Sequence, residues 1–195
     1  KTIQVSVKTH KGIFIASAPS GKSIGKYETP AYSKSGIEWS LKLLRTLCAN
    51  FNNKNIVLNE FNDLEKIENY IKKFEENNEK IGANCTYALE TALLKAAAKE
   101  NSRELWQFIK DDFKAKIPIP IANCIEGGLH SHSKIKPNFQ EFLIISNEGS
   151  ALKNITKNIH IYFSLKKLLK KTENKWKIKI TDENAWQTSL NEIDV

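Results

Sequence analysis

The sequence predicts an α+β domain over residues 1–115, followed over residues 116–195 by the start of a β/α domain. Two patterns lead to this fold class. The first part opens with two strand-like segments and continues with amphipathic helices, whereas the second part alternates strand, helix and strand. With 41% hydrophobic and 27% charged residues, the chain can bury a core, which argues against global disorder.

A β-hairpin is predicted at the start of the first domain. Residues 2–7 alternate polar and apolar side chains, residues 10–12 supply a turn, and residues 13–16 are again apolar. Residues 19–30 contain two Gly and two Pro and have no hydrophobic period. They predict a long loop, and long loops in compact domains are often functional.

Helices are predicted next, because apolar residues recur at three- and four-residue spacing. The third helix is rich in Ala and Leu around most of its circumference, so we expect it to be deeply buried. The predicted helices and N-caps are a helix from Ile37 to Leu47 capped by Ser35, one over 64–74 capped by Asn62 or Asp63, one over 83–99, and a short one over 105–109 capped by Ser102.

The second domain is predicted to contain strands on either side of a long helix. Residues 117–122 are apolar but twice interrupted by Pro, which suits an edge strand or the first strand of a barrel. Residues 139–145 predict a second strand, residues 150–171 a helix, and residues 176–180 a third strand. A helix of this length between two strands implies that those two strands pair in parallel.

The net charge of +8 comes almost wholly from Lys, since Arg45 and Arg103 are the only arginines. Nucleic-acid recognition relies on Arg for bidentate and stacked contacts. The composition therefore argues against a nucleic-acid partner. No apolar run is long enough for a membrane span and no signal peptide is recognisable, so the predicted location is cytoplasmic, with no membrane partner.

The chain contains three Cys and no C-x-x-C spacing. This argues against a disulfide framework and against a zinc knuckle, and it predicts buried thiols. The chain also contains no Met and opens directly in a strand pattern. We therefore interpret it as a fragment.

The segment from Ser20 to Ser23 ends like the phosphate-binding loop G-x-x-x-x-G-K-[ST]. The match fails at its front, where Ala16 stands in place of the required Gly. Three interpretations stay open for this loop: nucleotide binding, a flexible surface turn, and a mobile lid whose hydroxyls reach a metal or a phosphate.

A Gly pair follows the apolar strand and is followed in turn by His130. Two Gly at a strand end allow a sharp turn close to a ligand, which predicts His130 at the mouth of a site. Alternatively His130 and His132 could bind a metal together with Glu141, or His130 could be structural. Gln140-Glu141 and Asp182-Glu183 add carboxylates at strand ends, which are useful as metal ligands or general acids.

Several segments, taken in chain order, resemble the enolase (phosphopyruvate hydratase) family in an archaeal-like form, over nearly the whole chain. The loop Ala18–Glu28 is similar to the family's V-P-S-G-A-S-T-G-x-Y-E, and Pro118–His130 is similar to P-V-P-x-x-N-x-x-N-G-G-x-H. The remaining segments are Thr2–Val7 (similar to P-T-V-E-V-D-V), Gly82–Cys85 (G-A-N-A), Gln140–Ile144 (Q-E-F-M-I) and Thr181–Trp186 (G-D-E-G-A-W).

The resemblance implies an α+β N-terminal capping domain over 1–115 and the first strands and helices of an incomplete TIM-type barrel over 116–195. It implies the Mg²⁺-dependent reversible dehydration of 2-phosphoglycerate to phosphoenolpyruvate, a step of glycolysis and gluconeogenesis. Mg²⁺ is the implied cofactor, this small molecule the implied substrate, and a homodimer that pairs through the first domain the implied assembly.

The resemblance also implies roles for individual residues. Ser23 would contact the catalytic Mg²⁺, and His130 would close on the substrate near its phosphate. Gln140 and Glu141 would line the pocket, with Glu141 supporting the acid. Glu183 would be the general acid that protonates the departing hydroxyl.

Three departures from the family pattern stand out. Glu126 occupies a position where the family usually has Asn or Gly, and Asn184 replaces a Gly. Two extra residues separate the Gly pair from Gln140, which predicts that the loop 131–139 bulges.

The resemblance places the family's Lys base, its acidic Mg²⁺ ligands and its substrate-binding Arg and second Lys beyond residue 195. This stretch alone is therefore expected to be inactive. The alternative is a non-catalytic enolase-like protein kept for binding, for example to RNA.

Overall fold

The computed structural model describes residues 2–19, 21, 24–52, 56–110, 115–172 and 179–191. The chain divides into two compact units, which we call the N-terminal unit (Lys1–Phe113) and the C-terminal unit (Lys114–Val195).

The predicted hairpin at the start of the N-terminal unit is confirmed. Strands β1 (Gln4–Thr9) and β2 (Gly12–Ser17) pair antiparallel, with Gln4 opposite Ser17. Val5 and Ala16 face each other across the ladder and are both buried, so the alternation in the sequence gives the sheet one buried face. The described residues between 18 and 30 form neither helix nor strand, as predicted for the loop.

Four α-helices in the described part of this unit lie close to the predicted ranges. Helical periodicity located them well because apolar faces at this spacing must pack inward. They are α1 (Ile37–Asn52), α2 (Leu64–Glu75), α3 (Ala83–Glu100) and α4 (Leu105–Ile109), with a 3-10 turn at Phe61–Asp63 ahead of α2.

Two predicted N-caps are wrong. Helix α1 begins at Ile37, the Ser40 N–H donates to the carbonyl of Gly36, and the Ser35 hydroxyl donates to Glu79 at 2.9 Å instead of capping. Ser102 has φ +56 and lies in the turn that ends α3, so the cap of α4 is Glu104.

Helix α3 lies at the centre of the N-terminal unit, as its composition predicted. Ala88 and Ala92 are fully buried, and α3 packs against both strands of the hairpin. Their small side chains allow neighbouring elements to approach closely. The buried core around α3 comprises Ile3, Val5, Ala16, Leu43, Leu44, Leu47, Ile67, Ile71, Ile81, Cys85 and Leu89.

In the C-terminal unit the first strand is shifted from its predicted position. Strand β3 spans Ile121–Glu126, not 117–122, because the Pro residues at 118 and 120 lack the N–H groups that a ladder needs. Strand β4 (Glu141–Ile145) lies within the predicted range 139–145 and pairs antiparallel with β3. The pairing is antiparallel because a loop without a helix joins the two strands, whereas parallel strands need a long crossover.

The predicted long helix is confirmed as α5 (Ala151–Thr172). The buried side-chain amide of Asn158 connects it by hydrogen bonds to residues next to β3 and β4. Asn158, 4% exposed, donates to the carbonyl of Pro120 at 3.1 Å and accepts from the Ser146 hydroxyl at 2.7 Å. These bonds satisfy polar groups that would be costly to bury alone.

The predicted third strand lies mostly outside the described residues, since 173–178 are not described. What is described is a parallel bridge between Ile125 and Trp186 and an antiparallel bridge between Ile180 and Trp186. Trp186 is 4% exposed and forms the small core of this unit with Cys124, Ile125 and Leu169.

The cysteines are free, as predicted, with Cys85 and Cys124 buried and Cys48 half-buried. Burial raises the pKa of Cys124 to about 11. This thiol is therefore protonated and unreactive near neutral pH. In the described part of the chain, each helix is too short or too polar to cross a membrane.

Candidate functional site

A β-bulge shapes the end of strand β3. Asn123 pairs with Leu143 and Ile125 with Phe142, so Cys124 is the extra residue. The bulge shifts the alternation by one residue and turns Asn123 and Glu126 toward the same side. The Asn123 amide then donates to Glu126 Oε1 at 2.8 Å. The Glu126 carboxylate is thereby oriented in the interior, since only 1% of the residue is exposed.

The Gly pair after Glu126 folds the chain back toward β4. Gly127 donates its N–H to the carbonyl of Gln140 at 2.9 Å, and Gly128 donates to the carbonyl of Pro137 at 2.8 Å. The N–H of His130 donates to the carbonyl of Gly127 at 3.2 Å. This turn holds the backbone of His130 just beyond the end of β3.

Gly127 is required at its position by close approach of the backbone. A Cβ there would lie 2.3 Å from the carbonyl oxygen of Phe139 and 2.4 Å from that of Pro137. Gly127→Ala is therefore expected to destabilise the C-terminal unit by about 3 kcal/mol, the upper end for overpacking, because backbone oxygens cannot move aside as side chains do. Denaturant unfolding followed by circular dichroism measures this.

The control for Gly127→Ala is Gly149→Ala. Gly149 has φ +78 and open space around it, so this change costs only the left-handed backbone penalty of about 1–2 kcal/mol. A greater loss for Gly149→Ala than for Gly127→Ala would contradict the close-approach argument.

Glu183 lies in a second turn, held from both ends. The Thr181 N–H donates to the carbonyl of Ala185 at 2.9 Å, and Asn184 donates to the carbonyl of Thr181 at 3.0 Å. Asn184 has φ +63, a conformation that Asn adopts more readily than most residues, which explains how it can replace a Gly here. The hydroxyl of Tyr162, on α5, donates to the carbonyl of Asn184.

Trp186 attaches this second turn to the end of β3. Its backbone N–H donates to the carbonyl of Cys124 at 2.7 Å, and its carbonyl accepts from the N–H of Glu126 at 3.2 Å. The indole ring stacks on Tyr162 with a centroid distance of 4.6 Å. Glu126 and Glu183 are therefore brought together by backbone pairing next to a packed aromatic pair.

Three side chains from these two turns share one small space. Ligand atoms of Glu126, His130 and Glu183 all lie within 4.8 Å of one another. Glu126 is buried, His130 half-buried and Glu183 exposed. Within the described residues, the structure gives no hydrogen bond or ion pair between any two of them. The cluster is the one group of three metal-capable side chains found in the part of the chain that the structure describes.

Gln140 and Glu141, two further site residues predicted from the sequence, lie at the start of β4. Glu141 is directly opposite Glu126 on the β3–β4 ladder, and Gln140 binds Gly127 through its carbonyl. Opposed residues of a ladder point to the same face, so Glu141 shares a face with Glu126, but it is exposed and not in the cluster. Ser23 lies outside the described residues.

The alternative prediction, a metal site formed by His130, His132 and Glu141, is wrong, because these three side chains do not form a group. Among the described residues His130 groups with Glu126 and Glu183, whereas neither His132 nor Glu141 belongs to a group of three. The reason is local geometry: the turn at the Gly pair places His130 close to the end of β3, and His132 is exposed.

The cluster does not fit Mg²⁺ well. Mg²⁺ takes oxygen ligands in octahedral geometry, and one of the three groups here is the imidazole of His130. No catalytic step is assigned to Mg²⁺ from these side chains.

The sequence analysis identifies Glu126 as a difference from the family pattern but does not predict it as a site residue. The sequence signal that could have identified Glu126 as a site residue is its position: it is a carboxylate at the end of an apolar strand, directly before Gly-Gly and four residues before His130. Strict alternation alone cannot show which way its side chain points, because the bulge at Cys124 reverses the phase of the strand.

Comparison with protein families matches both parts of the chain. Residues 1–109 match the family described as enolase, N-terminal domain, and residues 114–194 match the family described as enolase, C-terminal TIM barrel domain.

Curated relatives are named enolase. The enolase of Methanosphaera stadtmanae is 29% identical over 97% of this chain and 45% of its own length. That of Ehrlichia ruminantium is 29% identical over 97% of this chain and 46% of its own length, and that of Pyrococcus furiosus is 27% identical over 98% and 46%. The chain thus spans about half the length of the relatives that it matches.

Proposed function

Because the chain belongs to the enolase family, we propose that it forms part of an enolase, the lyase that reversibly dehydrates 2-phosphoglycerate to phosphoenolpyruvate. The observation that supports this most is the meeting of His130 and Glu183, whose ligand atoms lie within 4.8 Å although the residues are 53 positions apart in the chain. Dehydration of a phosphorylated hydroxy acid requires a proton donor for the departing hydroxyl and a cationic or hydrogen-bonding group for the phosphate. Glu183 and His130 are side chains of these two kinds.

We assign the proton that assists departure of the hydroxyl to Glu183. Its carboxyl is exposed, on a turn fixed by backbone hydrogen bonds and by Tyr162, so a substrate can reach it without displacing a core side chain. His130 binds the phosphate end of the substrate. Gln140 and Glu141 line the adjoining strand end, with Glu141 supporting the acid.

The remaining parts of the proposal come from the family resemblance. Mg²⁺ is the proposed cofactor, and when bound it would offset the negative charge that builds up as a proton leaves the carbon beside a carboxylate. Ser23 is the Mg²⁺ ligand proposed from this chain. The proposed location is the cytoplasm, and the proposed assembly is a homodimer.

The test is turnover by the full-length protein. We expect the protein encoded by the complete gene to form phosphoenolpyruvate from 2-phosphoglycerate in the presence of Mg²⁺, whereas residues 1–195 alone do not. A full-length protein that folds but does not convert 2-phosphoglycerate would contradict the proposal.

A second candidate function is a non-catalytic enolase-like binding protein, and Glu126 favours it. A carboxylate where the family usually has Asn or Gly adds negative charge beside His130 and Glu183. An anionic substrate would be repelled there. The two functions are separated by the sequence downstream of Val195: the binding protein lacks the Lys base and the acidic ligands, and the enzyme has them.

A further inference from the structure

We propose that Glu126, His130 and Glu183 form a binding site for a divalent transition-metal ion, with Zn²⁺ preferred. Their ligand atoms lie within 4.8 Å of one another, and within the described residues none of the three is bonded to another. Ligands around a tetrahedral zinc ion are about 3.3–3.6 Å apart, given metal–ligand distances of roughly 2.0–2.2 Å. Small rotations of the exposed Glu183 and the half-buried His130 close this gap.

The donor set selects the class of metal. One imidazole nitrogen and two carboxylates suit Zn²⁺ and its neighbours in the first transition row, whereas Mg²⁺ prefers oxygen ligands only. Three protein ligands leave a fourth position open, the composition of zinc sites that also bind a small molecule.

The burial of Glu126 is the second observation that points to a cation. Glu126 is 1% exposed, and in the described part of the chain it has no Lys or Arg partner. Removing a carboxylate from water is costly unless a positive charge or several hydrogen bonds compensate. Its described side-chain partner is the neutral Asn123 amide, at Oε1, which does not supply the positive charge that a buried carboxylate needs.

The site also has a supporting shell. The Asn123 amide donates a hydrogen bond to Glu126 Oε1 at 2.8 Å. Metal-binding carboxylates are commonly oriented by such hydrogen bonds. His130 is held by the turn at Gly127, and Glu183 by the turn between Thr181 and Ala185. Backbone hydrogen bonds therefore position the chain at all three ligands, which reduces the cost of assembling them.

This site differs from the Mg²⁺ positions that the family resemblance implies, because it depends on Glu126, where the family usually has Asn or Gly. The inference does not rest on the proposed lyase activity. It is a property of the C-terminal unit of this chain and is tested by metal binding alone.

The experiment is a titration of the 195-residue chain with Co²⁺, followed by its visible absorption, and then with Zn²⁺ as competitor. We expect one Co²⁺ per chain with the intense bands of a tetrahedral site, displaced by Zn²⁺ but not by a large excess of Mg²⁺. Glu126→Gln keeps the volume and the acceptor for Asn123, and it should weaken Zn²⁺ binding by at least about 100-fold, since loss of even an outer-shell partner costs about 10- to 100-fold.

A matched pair of histidine variants locates the nitrogen ligand. His130→Asn should weaken binding as Glu126→Gln does, whereas His132→Asn, two residues away in the same loop, should leave it unchanged. Glu183→Gln changes an exposed side chain and so tests the third ligand without a risk to folding. The inference is overturned if the wild-type chain binds no Co²⁺, if Mg²⁺ displaces it readily, or if His132→Asn weakens binding as much as His130→Asn.

Discussion

Replacing Glu183 by Gln in the full-length form of the proposed lyase should lower kcat for phosphoenolpyruvate formation by about 10²- to 10⁴-fold, the usual contribution of a general acid. The amide has the same shape as the carboxyl group but cannot supply the proton that the departing hydroxyl needs. Affinity for 2-phosphoglycerate should change by less than about 3-fold, because the proposed role of Glu183 is proton transfer and the phosphate is assigned to His130. Steady-state kinetics together with a direct binding titration separates the two effects.

The control for this change is Glu148→Gln. Glu148 is an exposed carboxylate of the same unit that pairs with Lys157 on α5, and it has no part in the proposed chemistry. Its kcat should equal that of the wild type. Equal losses of turnover and of affinity in Glu183→Gln would refute the acid role, since they would mean that Glu183 serves binding only.

The helices were predictable from sequence because their buried faces follow a simple period. The predicted range 83–99 for α3 differs from the observed Ala83–Glu100 by one residue, since a helix this rich in Ala and Leu has few ways to bury its surface. The caps were less predictable. Ser102 is a good capping residue by type, but the left-handed turn that ends α3 takes it out of position.

The strands of the C-terminal unit show where sequence patterns stop being informative. Residues 117–122 have a strand-like composition, yet β3 starts at Ile121, after the two Pro that cannot donate to a ladder, and it extends to Glu126 where β4 pairs with it. Strand direction was also decided by tertiary structure, since the loop that joins β3 and β4 contains no helix. Such non-local pairing is not encoded in local alternation.

The candidate site was only partly predictable, for a similar reason. Gly-Gly before His130 is a local signal that a turn occurs at the strand end, and the structure has that turn. The inclusion of Glu126 depends on the bulge at Cys124 and on backbone pairing with Trp186, more than 50 positions away. Both are long-range features, so the sequence could show an unusual residue but not its neighbours.

In the full-length form of the proposed lyase, Zn²⁺ should inhibit turnover even with Mg²⁺ in excess, and Glu126→Asn should raise the half-inhibitory Zn²⁺ concentration by at least about 100-fold. A metal ion held by Glu126, His130 and Glu183 would occupy the carboxylate to which we assign the proton and the imidazole to which we assign the phosphate. The amide introduced in Glu126→Asn is uncharged and one methylene shorter than the carboxylate that it replaces, so the ion loses its buried ligand. Initial rates at a series of Zn²⁺ concentrations, with reversal by a chelator selective for Zn²⁺ over Mg²⁺, give the measurement.

Two comparisons make this result specific. His132→Asn should be inhibited as strongly as the wild type, because His132 lies outside the cluster. Glu126→Asn should also bind 2-phosphoglycerate more tightly without Zn²⁺, because it removes a negative charge beside the groups that face an anionic substrate. Undiminished Zn²⁺ inhibition in Glu126→Asn would mean that the inhibitory ion binds elsewhere. If the full-length protein has no turnover at all, the Co²⁺ titration of the chain still decides the metal site by itself, because that titration does not depend on catalysis.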